Sequence, residues 1–161
     1  MAVALLVAPA QARARTRIDV PAALAAQVDR VDAAGRGPVL LPTHLTSELP
    51  RLYASGGSTR RGWELRLRAS RGCGGTSICF AARFAGEAGG VPSGRLRVPL
   101  ARGRRGWFTP TRCTTYCAPP EIQWRERGLR YTIAVTTARI ATELGVLREL
   151  ADSAIANGPR H

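Results

Sequence analysis

Apolar and polar residues alternate along residues 63–70 and predict the first clear strand of the chain. The apolar set is Trp63, Leu65, Leu67 and Ala69, and the polar set is Glu64, Arg66, Arg68 and Ser70. Successive side chains of a strand point to opposite sides of its sheet, so this strand should bury one side and expose the other. Before it, Pro50 and the small residues 55–58 predict a loop.

The same period of two recurs in three later segments. Its apolar positions are Ile78, Phe80, Ala82 and Phe84, then Leu96, Val98 and Leu100, then Leu129, Tyr131, Ile133 and Val135. Pro99 predicts a strand end or a sheet edge for the second segment, because proline cannot donate to a ladder. A glycine-rich turn is expected over 86–94, and residues 106–109 predict a further short strand. Residues 122–124 precede the last strand, and Gly128 suits the turn of a hairpin between them.

The clearest helix is predicted near the C-terminus. Its apolar stripe consists of Ile140, Leu144, Leu147, Leu150, Ala151, Ala154 and Ile155. Thr142 is the expected N-terminal cap, and Gly158 is the expected end of the helix. We expect Leu147 to be buried against a sheet, with Arg148 and Asp152 pointing away from it.

An N-terminal helix is predicted over residues 19–32. Leu24, Val28 and Val31 have helical spacing, Asp19 is placed to cap the start, and Gly35 lies just beyond the end. Strands followed by an amphipathic helix favour an α+β fold. We therefore predict an antiparallel β-sheet with the C-terminal helix packed on one face.

The chain has 161 residues, 24 arginines and no lysine, against 11 acidic residues, which gives a net charge of +13. This length fits a single domain, predicted over residues 15–161. Excess positive charge favours anionic partners. The absence of lysine is also typical of a GC-rich genome, so codon bias is an alternative source of the charge.

Residues 1–14 are predicted to be a signal peptide. An apolar run over residues 2–8 is followed by Ala12-Arg13-Ala14, a pattern that signal peptidases cut, so the mature chain should begin at Arg15. No positive charge precedes the apolar run, which indicates a signal that begins upstream of Met1. The run is too short to span a bilayer. We expect a periplasmic or secreted protein; the alternative is a disordered alanine-rich leader.

Four cysteines form two close pairs in the sequence, Cys73 with Cys79 and Cys113 with Cys117. Four cysteines can form two disulfides in three different ways, and their number alone does not choose among these. Glycines around the first pair and prolines after the second indicate tight turns, so we predict two local disulfides. A four-thiolate zinc site is the rival interpretation, although the spacings fit it poorly.

The sequence offers little catalytic chemistry, and we predict a protein that is not an enzyme and that needs no cofactor or metal. His44 has no identifiable catalytic partner, and neither a nucleophile elbow nor a phosphate-binding loop is present. Glu64, Glu121 and Glu126 are candidates for a carboxylate pair, with solvated strand charges as the commoner case.

The sharpest functional feature is a set of arginines in the polar phase of the predicted strands: Arg66, Arg68, Arg95, Arg97, Arg125 and Arg130. A sheet would gather them on its uncovered face. With Trp107, Tyr116 and Tyr53 nearby in sequence, that face is a candidate site for an anionic glycan or a lipid headgroup. The alternative is a solvated face with no ligand.

Several short motifs resemble a small bacterial domain of unknown function found in exported and membrane-anchored proteins. They are Ile122-Gln123-Trp124, Gly128, Tyr131-Thr132-Ile133, and the helix over residues 147–155 with Ala151 and Ser153. The segment Val39-Leu40-Leu41-Pro42, with the four later cysteines, is similar to uncharacterised secreted bacterial proteins of this size. The resemblance implies a helix-covered sheet and no known catalytic residues.

These features favour an exported, non-catalytic binding or scaffold module of the periplasm or envelope. Its partner would be an anionic polysaccharide, a lipid headgroup or an envelope protein, and nucleic acid ranks low for an exported chain. The competing class is a secreted hydrolase or inhibitor, whose site would require polar residues that converge in a pocket.

Overall fold

A computed structural model describes residues 15–49, 51–72, 79–137 and 139–160. The helices in these ranges are α1 (Val20–Ala33) and α2 (Glu143–Asn157). The strands are β1 (Thr16–Asp19), β2 (Val39–Leu40), β3 (His44–Ser47), β4 (Tyr53–Thr59), β5 (Gly62–Arg68), β6 (Phe80–Ala88), β7 (Leu96–Pro99), β8 (Arg105–Thr109), β9 (Arg112–Cys113), β10 (Cys117–Ala118), β11 (Glu121–Glu126), β12 (Leu129–Val135) and β13 (Pro159–Arg160).

The largest assembly in the described residues is a seven-stranded antiparallel sheet with the order β4-β5-β6-β12-β11-β8-β7. Strands that follow one another in the chain and belong to this sheet lie side by side, except β6 and β7. The step from β6 to β7 takes the chain from the middle of the sheet to its far edge. Smaller antiparallel pairs join β1 to β3, β9 to β10 and β2 to β13.

One face of the sheet, here the covered face, carries the hydrophobic core. In its central row Leu65, Phe84, Ile133, Ile122 and Phe108 lie opposite one another on successive strands, and all are buried. The helices α1 and α2 bury their apolar residues in the same core. A helix-covered antiparallel sheet confirms the predicted α+β fold.

Helix α1 forms as its sequence pattern predicts. The Asp19 side chain accepts a hydrogen bond from the backbone N–H of Ala22 at 2.9 Å and caps the first turn. Leu24, Val28 and Val31 are buried. Together they place one apolar stripe of the helix against the sheet.

Helix α2 is buried at the predicted Leu147, Ala151, Ala154 and Ile155, but it begins later than the stripe suggested. Ile140 lies in a 3-10 turn before the helix and is 71% exposed. Thr142 occupies the N-cap position, as predicted, but its side chain does not cap the helix: the hydroxyl donates back to the carbonyl of Arg139, within the 3-10 turn.

Residues 55–58 are not a loop, and that prediction is wrong. They belong to β4, which pairs with β5 along its whole length at the sheet edge. Glycine and serine side chains bury little apolar surface, so this strand lacks the alternation of apolar and polar residues that would predict it. Gly56, with φ of 109°, allows the two backbones to approach closely.

The predicted turn over residues 86–94 is also shorter than expected, because β6 continues to Ala88. The hairpin between β11 and β12 is confirmed. Its turn residues Arg127 and Gly128 have φ of 50° and 80°, as a tight hairpin turn requires.

The disulfide between Cys113 and Cys117 is present. Pairing of Cys73 with Cys79 stays a prediction, since Cys73 lies outside the described residues. The predicted signal peptide over residues 1–14 lies outside them as well. No helix within the described ranges has the length and hydropathy to span a membrane.

Candidate anion-binding face

The sheet face opposite the helices, here the open face, gathers arginines from six strands. Strand alternation and register place Arg66, Arg68, Arg83, Arg97, Arg105, Arg125 and Arg130 on it. Glu64, Glu87 and Glu121 lie on the same face. The face is therefore mixed in charge, and the position of each arginine relative to these acids decides whether it is free to bind a ligand.

In the centre of the sheet the arginines are neutralised. Glu64 forms ion pairs with both Arg66 and Arg83, and Arg83 also contacts Glu121 at 3.1 Å. Glu121 accepts a further hydrogen bond from Gln123 at 2.8 Å. The result is a ladder of alternating charges across β5, β6 and β11.

A separate ion pair joins Arg130 to Glu87, where β12 and β6 run side by side. Arg61 also reaches Glu87 at 3.7 Å. Arg66 and Arg130, two of the predicted site residues, therefore have their charge matched within the protein.

Near the β7 edge the arrangement differs. Arg97 lies directly opposite Trp107 in the β7–β8 register, and Gln123 lies opposite Trp107 on the other side. Arg105 lies two residues from Trp107 along β8, and Arg125 lies two residues from Gln123 along β11. Both are therefore on the same face as Trp107. In the described part of the chain none of these three arginines forms a salt bridge, and all three are exposed. We call Arg97, Arg105, Arg125 and the half-buried Trp107 the arginine patch.

The open face is not bare, because residues 89–95 cross it on the way from β6 to β7. Along this strap, the N–H of Ser93 donates to Gln123 Oε1 at 3.0 Å, and the N–H of Arg95 donates to the carbonyl of Phe108 at 2.8 Å. Gln123 and Thr132 are consequently only 6% exposed. The sequence did not indicate this strap, which exists because β6 and β7 are not neighbours in the sheet.

The structure thus sorts the six predicted arginines. Arg97 and Arg125 lie in the patch, Arg66 and Arg130 are ion-paired, and Arg95 lies exposed one residue before β7. Arg68 lies opposite Tyr53 at the other end of the sheet. Two further arginines of the face, Arg83 and Arg105, were missed, although their strand positions followed the same alternation.

The three predicted aromatic residues do not form one cluster. Trp107 belongs to the patch, whereas Tyr53 lies at the opposite edge on β4. Tyr116 is outside the sheet, at the tip of the β9–β10 hairpin, where it is 71% exposed. This hairpin is closed by the Cys113–Cys117 disulfide, with a Cα–Cα distance of 4.0 Å.

The base of that hairpin is held by a buried carboxylate that was not among the predicted site residues. Glu143, 2% exposed at the start of α2, accepts hydrogen bonds from the backbone N–H of Thr111, at 3.0 Å, and from its hydroxyl. An acidic side chain in the first turn of a helix also suits the positive end of the helix dipole. Glu143 therefore ties the disulfide hairpin to the core.

At the β4 edge, two arginines stack on one ring. The guanidinium carbon of Arg51 lies 5.3 Å from the centre of the Tyr53 ring, and that of Arg71 lies 5.5 Å from it. Both distances are typical of cation–π contacts.

The predicted candidates for catalysis are dispersed. His44 accepts a hydrogen bond from Arg17 at 3.0 Å, within the β1–β3 pair. Glu64 and Glu121 are bridged by Arg83, but Glu126 lies on the covered face with Arg104 at 3.2 Å, so it cannot join them. Among the described residues, no three metal-ligating side chains come together.

Comparison of the chain with protein-family models, curated proteins and solved structures finds no match. The resemblance to exported bacterial domains therefore stays a prediction. What the protein does must be inferred from the placement of its side chains.

Proposed function

We propose that this protein is an exported, non-catalytic binding module whose arginine patch holds an anionic polysaccharide. The observation that carries the proposal is the separation of charge on the open face. Acids neutralise the arginines of the sheet centre, whereas Arg97, Arg105 and Arg125 have no acidic partner among the described residues. Guanidinium groups without a partner retain their donors for a ligand.

The chemistry of the patch suits a polymer of acidic sugars. A guanidinium binds a carboxylate or sulfate through two parallel hydrogen bonds, and an indole offers an apolar surface on which a sugar ring can lie. Neighbouring strands are about 4.8 Å apart. Arginines on β7, β8 and β11 are therefore spaced for successive charged groups rather than for one.

Export is supported by two independent features. The apolar run and the Ala12-Arg13-Ala14 pattern are typical of a signal peptide, and the Cys113–Cys117 disulfide suits an oxidising compartment. We expect N-terminal sequencing of protein recovered from a culture or periplasmic fraction to begin at Arg15. Recovery of a chain that still begins at Met1 would contradict the cleavage.

The binding proposal is tested by calorimetric titration with an oligogalacturonate, using a neutral oligosaccharide as the ligand control. The double substitution Arg97→Gln and Arg125→Gln should weaken binding about 100-fold or more, since each of the two charge-assisted contacts contributes about 1.5 kcal/mol or more. Trp107→Leu should also weaken it. Binding should decline as salt rises, because exposed charges are screened.

The matched control is the double substitution Arg30→Gln and Arg36→Gln. These exposed arginines belong to α1 and the loop after it, away from the patch, and their loss changes the net charge equally. Binding should be retained in this control. Equal weakening in both double variants would mean that net charge alone attracts the ligand, and the patch would not be a site.

An exposed apolar residue on the open face favours an anionic lipid surface as a second candidate. Val91, in the strap that crosses this face, is 72% exposed. Side chains of this kind insert between headgroups while nearby arginines bind phosphates. Sedimentation with phosphatidylglycerol vesicles separates the two candidates. Vesicle binding that is lost in Val91→Ser but retained in Trp107→Leu would favour the lipid.

A further inference from the structure

We infer that Arg51, Tyr53 and Arg71 form a second anion site, separate from the arginine patch, that takes a single oxyanion of the phosphate or sulfate class. The two guanidinium groups share one aromatic ring as a platform. We call these three residues the tyrosine corner.

The β4–β5 hairpin builds the corner. Arg51 precedes β4 and Arg71 follows β5, and the antiparallel pairing of these strands returns both to the same end of the sheet. Tyr53 lies opposite Arg68 in that register. Its ring therefore lies on the open face, at the end of the hairpin where β4 begins and β5 ends. Residues 20 positions apart are thus brought to one ring.

The corner brings two positive charges to one ring. Each guanidinium carbon is within 5.5 Å of the ring centre, so the two charges are no more than about 11 Å apart. Within the described ranges neither arginine forms a salt bridge, and both are exposed. An anion bound beside the ring reduces the repulsion between these charges and accepts from the N–H donors of the guanidinium groups.

Stacking also reduces the entropic cost of binding. A free arginine side chain loses about 2 kcal/mol of rotamer freedom when it is fixed. Arg51 and Arg71 are already restrained on Tyr53, so less freedom remains to be lost. Exposed guanidinium groups that are preorganised in this way suit the geometry of a phosphate or sulfate group.

The corner and the patch lie at opposite edges of the sheet. Four strands, β5, β6, β12 and β11, separate β4 from β8, which corresponds to about 24 Å at the usual strand spacing. The ion-paired ladder of Glu64 and Arg83 occupies the space between. Each site can therefore be tested by itself.

The test is a titration of the ¹⁵N-labelled full chain with inorganic phosphate, followed through the Nε–Hε signals of arginine. Signals of Arg51 and Arg71 should shift and saturate. Arg51→Gln and Arg71→Gln should each weaken binding about tenfold, as the loss of one charge-assisted contact predicts. Tyr53→Leu should weaken it at unchanged charge, whereas Tyr53→Phe, which keeps the ring, should not.

Two controls make the result decisive. Arg60→Gln removes the same charge from an exposed position at the β4–β5 turn, at the other end of the hairpin, and should leave phosphate binding unchanged. The patch variant with Arg97→Gln and Arg125→Gln should also leave it unchanged. Equal effects of Arg60→Gln and Arg51→Gln, or full binding by Tyr53→Leu, would overturn the corner as a site.

The source of the oxyanion is distinguished by comparing three probes at equal concentration. Inorganic phosphate, inorganic sulfate and vesicles that carry a phosphomonoester lipid share the chemistry but differ in presentation. Saturation with any of them that depends on Arg51 and Arg71 supports the site. Shifts that fail to saturate with all three would contradict it.

Discussion

Replacement of Leu147 by alanine is expected to destabilise the protein by about 2 to 5 kcal/mol. Leu147 is completely buried at the centre of the α2 stripe, in the core shared with β11 and β12. The substitution removes methyl groups from a close-packed region and leaves a cavity that the sheet is too rigid to fill. A loss of this size is a large fraction of the stability of a small domain.

Urea unfolding followed by circular dichroism measures this change, with Ile140→Ala as the matched control. Ile140 has a comparable aliphatic side chain but is 71% exposed, so its truncation should cost less than about 0.5 kcal/mol. Arg148→Ala should be similarly mild, since its pair with Asp152 at 3.7 Å is exposed to solvent. Equal losses for Leu147→Ala and Ile140→Ala would show that α2 does not pack on the sheet as described.

The second large effect is expected for Gly56→Ala. A Cβ atom at this position would lie 2.1 Å from the backbone carbonyl oxygen of Glu64, and the residue has φ of 109°. Neither the clash nor the strain can be relieved by a side-chain movement, because both involve the backbone. We expect a loss of about 2 to 4 kcal/mol and weaker pairing of β4 with β5.

Gly57→Ala is the neighbouring control. No atom lies within 4 Å of a Cβ built at Gly57, and its φ is unstrained. The same substitution one residue later should therefore change the free energy of unfolding by less than about 0.5 kcal/mol. Hydrogen exchange of β5 amides would report the local effect. Comparable stability of the two variants would mean that β4 does not pair in this register.

The covered face was predictable from sequence because burial imposes a local pattern. Trp63, Leu65 and Leu67 alternate with charged residues, and the structure buries all three against the helices. Helix α1 was predictable for a similar reason, because the capping residue Asp19 and the apolar stripe of the helix are close together in the sequence. Such patterns need no knowledge of which strands are neighbours.

The charge pairing of the open face was not predictable, because it depends on strand order. Arg83 meets Glu121 only because β12 lies between β6 and β11, a placement that follows from the crossing of the strap. Asp152 illustrates the same limit. It was expected to point away from the sheet, but it accepts a hydrogen bond from the backbone N–H of Ala101 at 2.5 Å. A segment distant in sequence supplies its partner.

The separation of the face into a neutralised centre and an unneutralised edge is the basis of the proposed function. In the ranges that the structure describes, each acid of the open face forms an ion pair within the sheet or with Arg61, and none reaches the arginine patch. If the patch binds an acidic polysaccharide, the ligand should contact this edge and avoid the centre.

Chemical-shift mapping of the full chain with an oligogalacturonate tests this claim most directly. We predict that the largest shifts occur at the indole N–H of Trp107 and at the Nε–Hε groups of Arg97, Arg105 and Arg125, with little change at the ion-paired Arg66 and Arg83. Shifts spread evenly over all exposed arginines, or concentrated on α1, would contradict the proposed site.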